Sequence, residues 1–170
     1  SYLYCSRSSS HFAYSQRRLE LVTAQFGQHD VESLYQKQIL ALAKQSRESI
    51  YNSRAPYNAS CDNPVCGDRV DLSFAIADGK LHKLGVKVRG CALCEAGAGL
   101  AIASLDGMPA TQLPQVTADF EKWLGQGLDD PPIDAMNQFL PVRDIRNRHK
   151  CVLLAFHTAM TALQRPVLER

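Results

Sequence analysis

The 170-residue chain lacks any apolar run approaching the roughly 20 residues of a membrane helix, so no membrane partner is expected. It also lacks a strong charge of either sign. A formal net charge of +2 is too small to draw nucleic acid as a bulk partner. No basic n-region, apolar h-region and cleavage site of the secretory kind can be read in it. A disulfide framework thereby loses its main support, and a reducing, cytoplasmic setting is expected. There is no internal repeat, and no low-complexity tract beyond the first residues. A second Cys-x-x-Cys, which a zinc ribbon would need, is missing as well.

What remains is ordinary globular composition, 45% hydrophobic and 21% charged, enough for a core that needs no disulfide staples. Residues 1–30 differ from the rest. Ser1 to Arg18 is rich in Ser and Arg and has no acid, and the segment reads as a disordered N-terminal extension or, as the alternative, an organellar transit peptide. The expected folded domain is 31–170.

Six cysteines stand out: Cys5, Cys61, Cys66, Cys91, Cys94 and Cys151. In a reducing compartment, clustered cysteines point to metal binding or catalysis. Cys5 lies in the extension and is read as incidental. Asn63-Pro64-Val65-Cys66-Gly67-Asp68 puts a thiol and a carboxylate two residues apart, a spacing that projects both to one face of an extended chain. Gly67 between them leaves room for an ion and permits a strained backbone.

The surrounding pattern places these residues. A helix is expected over 31–53, with Leu34, Tyr35, Ile39, Leu42 and Ala43 as its apolar stripe. Residues 54–65 read as a loop. Arg69 to Ala77 alternates as a half-buried strand, with Val70, Leu72, Phe74 and Ile76 inward. Asp78-Gly79 is a hairpin turn, and Leu81 to Arg89 returns. Cys91 to Leu105, rich in Ala and Gly, reads as a helix packed closely on a neighbour. Further helices are expected over Thr111 to Leu124, briefly near Ile133 to Phe139, and over Cys151 to Leu168. The fold class is α+β, a small antiparallel sheet covered by helices with a metal or cluster site at one end.

Cys66, Cys91 and Cys151 thus fall at element junctions. Helix N-terminal amides, and Arg143, Arg146, Arg148 and Lys150 ahead of Cys151, are expected to favour thiolates. Three thiolates with Asp68 make a four-ligand site for zinc or a mouth for an iron–sulfur cluster. Two other readings stay open: a structural zinc module that binds a partner, and a dithiol redox enzyme using Cys91 and Cys94 at a strand–CxxC–helix junction. A thioredoxin-like fold would need further strands after Cys94, where none can be read.

The sequence resembles the IscU/SufU family, the NifU N-terminal-type scaffolds of iron–sulfur cluster assembly, over about residues 31–165. Leu34-Tyr35 with Ile39-Leu40 resembles the opening helix of that family. Asn63 to Asp68 resembles its Cys-Gly-Asp motif, Gly90-Cys91 its second cysteine, and Arg148-His149-Lys150-Cys151 its third. Cys91 and Cys151 are 60 positions apart, which resembles the long insertion of the SufU branch. Lys150 stands where the IscU branch has histidine. Glu95-Ala96-Gly97-Ala98-Gly99 departs from the family's Ala-Ser pairs, and Cys61 and Cys94 are extra.

The resemblance implies Cys66, Asp68, Cys91 and Cys151 as ligands of Zn²⁺ or of a transient [2Fe–2S] cluster. It implies a cysteine desulfurase as sulfur donor and iron–sulfur recipient or carrier proteins as partners. Cys66 and Cys151 are the candidate persulfide acceptors of a scaffold or sulfur relay that is not a conventional enzyme. Asp68 is the weak ligand of the set, and His149 is an alternative to it.

Overall fold

The computed structural model describes residues 28–166. The elements are α1 (Gln28–Glu48), β1 (Tyr57–Asn63), β2 (Asp68–Ala77), β3 (Lys80–Arg89), α2 (Ala92–Leu105), α3 (Leu113–Leu124) and α4 (His149–Gln164). A 3₁₀ turn leads into α3, and two 3₁₀ segments, Asp134–Asp144 and Arg146–Arg148, lead into α4. The sheet is antiparallel in the order β1-β2-β3. On it pack α4, against β1 and β2, and α2, against β3; α1 lies on α2. The expected α+β architecture is the observed one; of the expected extension 1–30, residues 1–27 lie outside the described residues, and Gln28, His29 and Asp30 already belong to α1.

The expected hairpin closes at Asp78-Gly79, where Ala77 pairs with Lys80 and both turn residues take positive φ, 53° and 74°. That is the turn whose twist matches the flanking strands. Val70, Leu72 and Phe74 are fully buried, while Ile76 is half-buried at the strand end. In β3, Leu81 and Leu84 both face the core although they are three positions apart, an odd spacing for one strand face. A bulge reconciles them: Ser73 pairs with Gly85 and Ala75 with His82, so Lys83 and Leu84 together oppose Phe74. Lys83 absorbs the extra residue with φ 54°.

Residues 57–63 were expected to be loop and are instead β1. Their Asn/Ser-rich stretch carries no alternating apolar signal. The strand exists because β2 offers a paired edge and because Tyr57 stacks on Phe74, ring centroids 5.1 Å apart. The first helix stops at Glu48 rather than 53. Beyond it the Ser49 hydroxyl accepts the Val86 amide at 3.0 Å, and the Asn52 amide is held by Ser73 Oγ at 2.9 Å. These residues bond to β3 and β2 rather than extending the helix. The stripe of α1 is also displaced: Leu42 and Ala43 are buried, Ile39 is half-buried and Leu34 is exposed. Helix α4 ends at Gln164, not Leu168, because Pro166 steers the residue before it out of the helical region.

The small residues of α2 are explained by its neighbours. A Cβ on Gly99 would lie 1.9 Å from the Leu42 carbonyl oxygen of α1, and one on Gly97 would lie 2.4 Å from the Val152 oxygen of α4. The helix is clamped between two others at backbone contact. Segment 110–148 adds an aromatic group to the single hydrophobic core. Phe120 meets Trp123, Phe139 and Phe156 at 6.1, 6.4 and 5.0 Å between centroids.

Candidate metal centre

Three chain segments converge at one end of the sheet. The first is the four-residue turn joining β1 to β2, closed by the Asn63–Asp68 pair and a Gly67 amide to Asn63 carbonyl bond of 2.8 Å. Gly67 sits at φ 73°, a conformation that L side chains rarely adopt. Cys66 therefore lies in a turn rather than in the extended run that strand alternation assumed. The turn achieves the same convergence: Cys66 Sγ lies 2.8 Å from Asp68 Oδ2. The second segment is the β3–α2 junction. The Cys91 amide donates to Asp68 Oδ1 at 3.2 Å, and Cys91 Sγ lies 3.8 Å from Oδ2. The third is the first turn of α4, which brings Cys151 Sγ to 3.6 Å from Cys66 Sγ.

The ligand atoms of Cys66, Asp68 and Cys151 all lie within 4.8 Å of one another, a group able to hold a metal ion. Cys91 is outside that tight group and reaches it through the Asp68 carboxylate. The donor chemistry fits zinc or iron. Four-coordinate zinc with bonds of about 2.3 Å to sulfur sets its thiolates roughly 3.8 Å apart, close to the Cys66–Cys151 separation. The cradle also requires its glycine: a Cβ on Gly90 would stand 2.7 Å from Asp68 Oδ1.

Burial sorts the candidate ligands by access. Cys66 is exposed, Cys91 is half-buried, and Asp68 and Cys151 are buried. Burial by itself raises the Asp68 pKa. The hydrogen bonds it receives from the Cys66 and Cys151 thiols and from the Cys91 amide and thiol outweigh that and hold it below the usual carboxylate range. Burial raises the Cys151 pKa, helped by its bonds to Asp68 and Cys66. This reverses the expectation that basic residues would lower it. Arg143 turns away from the site. Its Nε donates to the Trp123 carbonyl at 2.8 Å, one terminal nitrogen donates to the Leu128 carbonyl at 2.9 Å, and the guanidinium sits 4.9 Å over the Trp123 ring.

His149 does not join the group. Its Nε2 lies 3.0 Å from both the Val142 and Arg143 carbonyl oxygens, tying the 3₁₀ segment to the start of α4. Cys61 faces Thr161 at 3.7 Å, on the α4 side of β1. Cys94 is 1% exposed, and burial, reinforced by the negative charge of Asp68, pushes its thiol pKa up to about 12. A Cys91–Cys94 dithiol would have to pull that thiol out of the core, which counts against the redox reading. One residue had no role assigned from sequence. Asn63 is buried, accepts the Val65 amide at 3.2 Å and donates to Cys66 Sγ at 2.9 Å. Its signal was an Asn at the head of a turn, a residue type that bonds its own backbone two residues on.

No family model matches the chain, and no curated protein matches it in sequence. Solved structures do share its fold. A nitrogen-fixing NifU-like protein (N-terminal) from Brucella abortus aligns with a TM-score of 0.68 at 22% identity, over 79% of this chain and 94% of that one. An iron–sulfur cluster assembly scaffold protein for the SUF system from Fervidobacterium islandicum AW-1 gives 0.67 at 22% identity, over 74% and 93%. A hypothetical protein gives 0.67 at 19%, over 78% and 98%. The chain therefore has the fold of NifU N-terminal-like and SufU scaffold proteins. At the end of its sheet sits a Cys–Asp–Cys group able to hold a metal ion.

Proposed function

We propose that the chain is a member of the IscU/SufU family, on its SufU side, and serves iron–sulfur cluster assembly. It would accept sulfur from a cysteine desulfurase and scaffold or relay it toward recipient or carrier proteins in the cytoplasm. The observation that carries this reading is the convergence of Cys66, Asp68 and Cys151, with Cys91 beside them, in a fold shared with such scaffolds. Cys66, Asp68, Cys91 and Cys151 are the proposed ligands of Zn²⁺ or of a transient [2Fe–2S] cluster, and either group would be held by thiolates that a partner can displace.

Of the two candidate acceptors, exposure favours Cys66. A thiolate there can attack the outer sulfur of a desulfurase persulfide, forming a new S–S bond while the desulfurase thiolate leaves. Cys151 is 1% exposed and reachable only through the site. The test combines metal analysis, an absorption spectrum and mass spectrometry after incubation with a cysteine desulfurase and free cysteine. Added sulfur on Cys66, with bound zinc or cluster absorption, is the expected result. A metal-free, colourless protein carrying no sulfur on Cys66, Cys91 or Cys151 would overturn the reading.

A further inference from the structure

Cys66 is distinguished from the other thiols by a hydrogen bond. Asn63 Nδ2 donates to its sulfur at 2.9 Å. The Asn63 side chain cannot be the other way round. Its Oδ1 accepts the Val65 amide at 3.2 Å, and the Cys66 thiol donates to Asp68 Oδ2, so a flipped amide would set donor against donor at Val65 and its oxygen against the sulfur lone pairs. Asn63 is 5% exposed, ends β1, and pairs across the sheet with Asp68. Among the described residues, no other nitrogen is seen donating to a cysteine sulfur of the centre; the Cys91 amide donates to the Asp68 carboxylate instead.

The charge of the centre gives this bond a purpose. Three thiolates and a carboxylate around a divalent ion leave a net negative charge in a partly buried place, and N–H donors are what offset it. Two cations that could offset it are committed elsewhere. Arg69 is engaged with Asp62 at 3.0 Å and Asp71 at 3.3 Å, and Arg143 is turned toward Trp123.

We infer that Asn63 is a positioning residue of the metal centre: its side-chain amide aims the Cys66 sulfur at Asp68 and Cys151 and takes up part of that sulfur's negative charge. The inference rests on the metal-centre reading above. It adds that the exposed, turn-borne ligand is held in place by a side chain rather than by a rigid element. A hydrogen bond to a thiolate lowers the energy of the sulfur lone pairs. Removing it must raise them and shift sulfur-to-metal charge transfer to lower energy.

The test uses two variants and two ions alone, Zn²⁺ and Co²⁺. Asn63→Leu keeps the size without any polar atom. Asn63→Ser keeps a hydroxyl that can accept the Val65 amide but is too short to reach the sulfur. Both are expected to fold and to bind Zn²⁺ about 10–100-fold more weakly than the wild-type chain. Both should also move the thiolate-to-cobalt charge-transfer band to lower energy. A role confined to the turn would lower the melting temperature of Asn63→Leu, spare Asn63→Ser, and leave the cobalt band of Asn63→Ser in place; that result overturns the inference. So does wild-type affinity in both variants. Failure of the wild-type chain itself to bind either ion would instead overturn the metal-centre reading, so the two failures are told apart.

Discussion

At the residue scale, the site is a set of thiols made unequal by their surroundings. Asp68 is the proposed ligand held by the most bonds, and a carboxylate has the weakest affinity of the set for a soft metal. It accepts the Cys91 amide and contacts the Cys66, Cys91 and Cys151 thiols. Asp68→Ala is expected to retain a bound cluster or zinc several-fold longer and to slow its transfer to a chelator or acceptor. Faster release than wild type, followed by absorption or by a zinc indicator, would deny Asp68 the role of the ligand that lets go. Cys94 supplies a pH prediction. Its thiol pKa is raised from 9.0 to about 12, so the native state keeps a proton that the unfolded chain sheds. The resulting loss of stability is absent below about pH 9 and grows as pH rises toward 12. Thermal melts between pH 8 and 11 should fall less steeply for Cys94→Ala than for the wild-type chain. At neutral pH an alkylating reagent should label Cys66 well before Cys94.

At the element scale, the helices are positioned by contacts that leave no slack. Gly99→Ala places a Cβ 1.9 Å from a main-chain oxygen of α1, and a backbone atom cannot step aside as a flexible side chain can. The cost is expected to be at least about 1–3 kcal/mol, the usual range for overpacking, and chemical denaturation would measure it. The same logic makes α2 a poor place for larger residues, since it carries Cys91 at its N-terminus. Arg143 plays the corresponding part for segment 110–148. Arg143→Met would leave the Trp123 and Leu128 carbonyls without their guanidinium partner, a loss of about 2 kcal/mol or more. Trp123 is the single tryptophan of the chain, so its fluorescence should report the change directly, by a red shift or altered quenching. An unchanged spectrum and melting temperature would show that this part of the core does not depend on this arginine.

At the scale of the whole molecule, the centre ties together three distant parts of the chain: the β1–β2 turn, the β3–α2 junction and the start of α4. An ion that binds only this assembled state stabilises the fold by mass action. At free zinc about 100 times the dissociation constant the gain is about 2.7 kcal/mol, a rise of roughly 5–10 °C in melting temperature for a chain of this length. Replacing Cys151 with Ala should abolish most of that rise. A zinc-independent melting temperature in the wild-type chain would show that the ion is not part of the folded unit.

The chemistry of the centre was legible because it is written in residue types at short spacing. Cys66-Gly67-Asp68 and the cysteines at two junctions are local facts, as are the Asp78-Gly79 hairpin and the inward face of β2. Other features had no local signal. The β1 strand depends on a partner edge and a Tyr57–Phe74 stack across sixteen intervening residues. Its own stretch is polar, so no alternation could announce it. The thiol of Cys151 was expected to be activated by nearby cations. Only packing decides that Arg143 spends its charge on carbonyls and that the helix start is buried, since burial and partner choice come from segments far away in sequence. Helix ends failed for the same reason: Ser49 and Asn52 leave the helix because β2 and β3 offer them partners. Composition and spacing by themselves determined that this chain would gather thiols and a carboxylate on a small α+β frame, because turn chemistry and hydrophobic period are short-range properties. Only the tertiary structure decided which thiol faces solvent, which is sealed in the core, and which one Asn63 holds, because access, desolvation and hydrogen-bond partners exist only once distant segments meet.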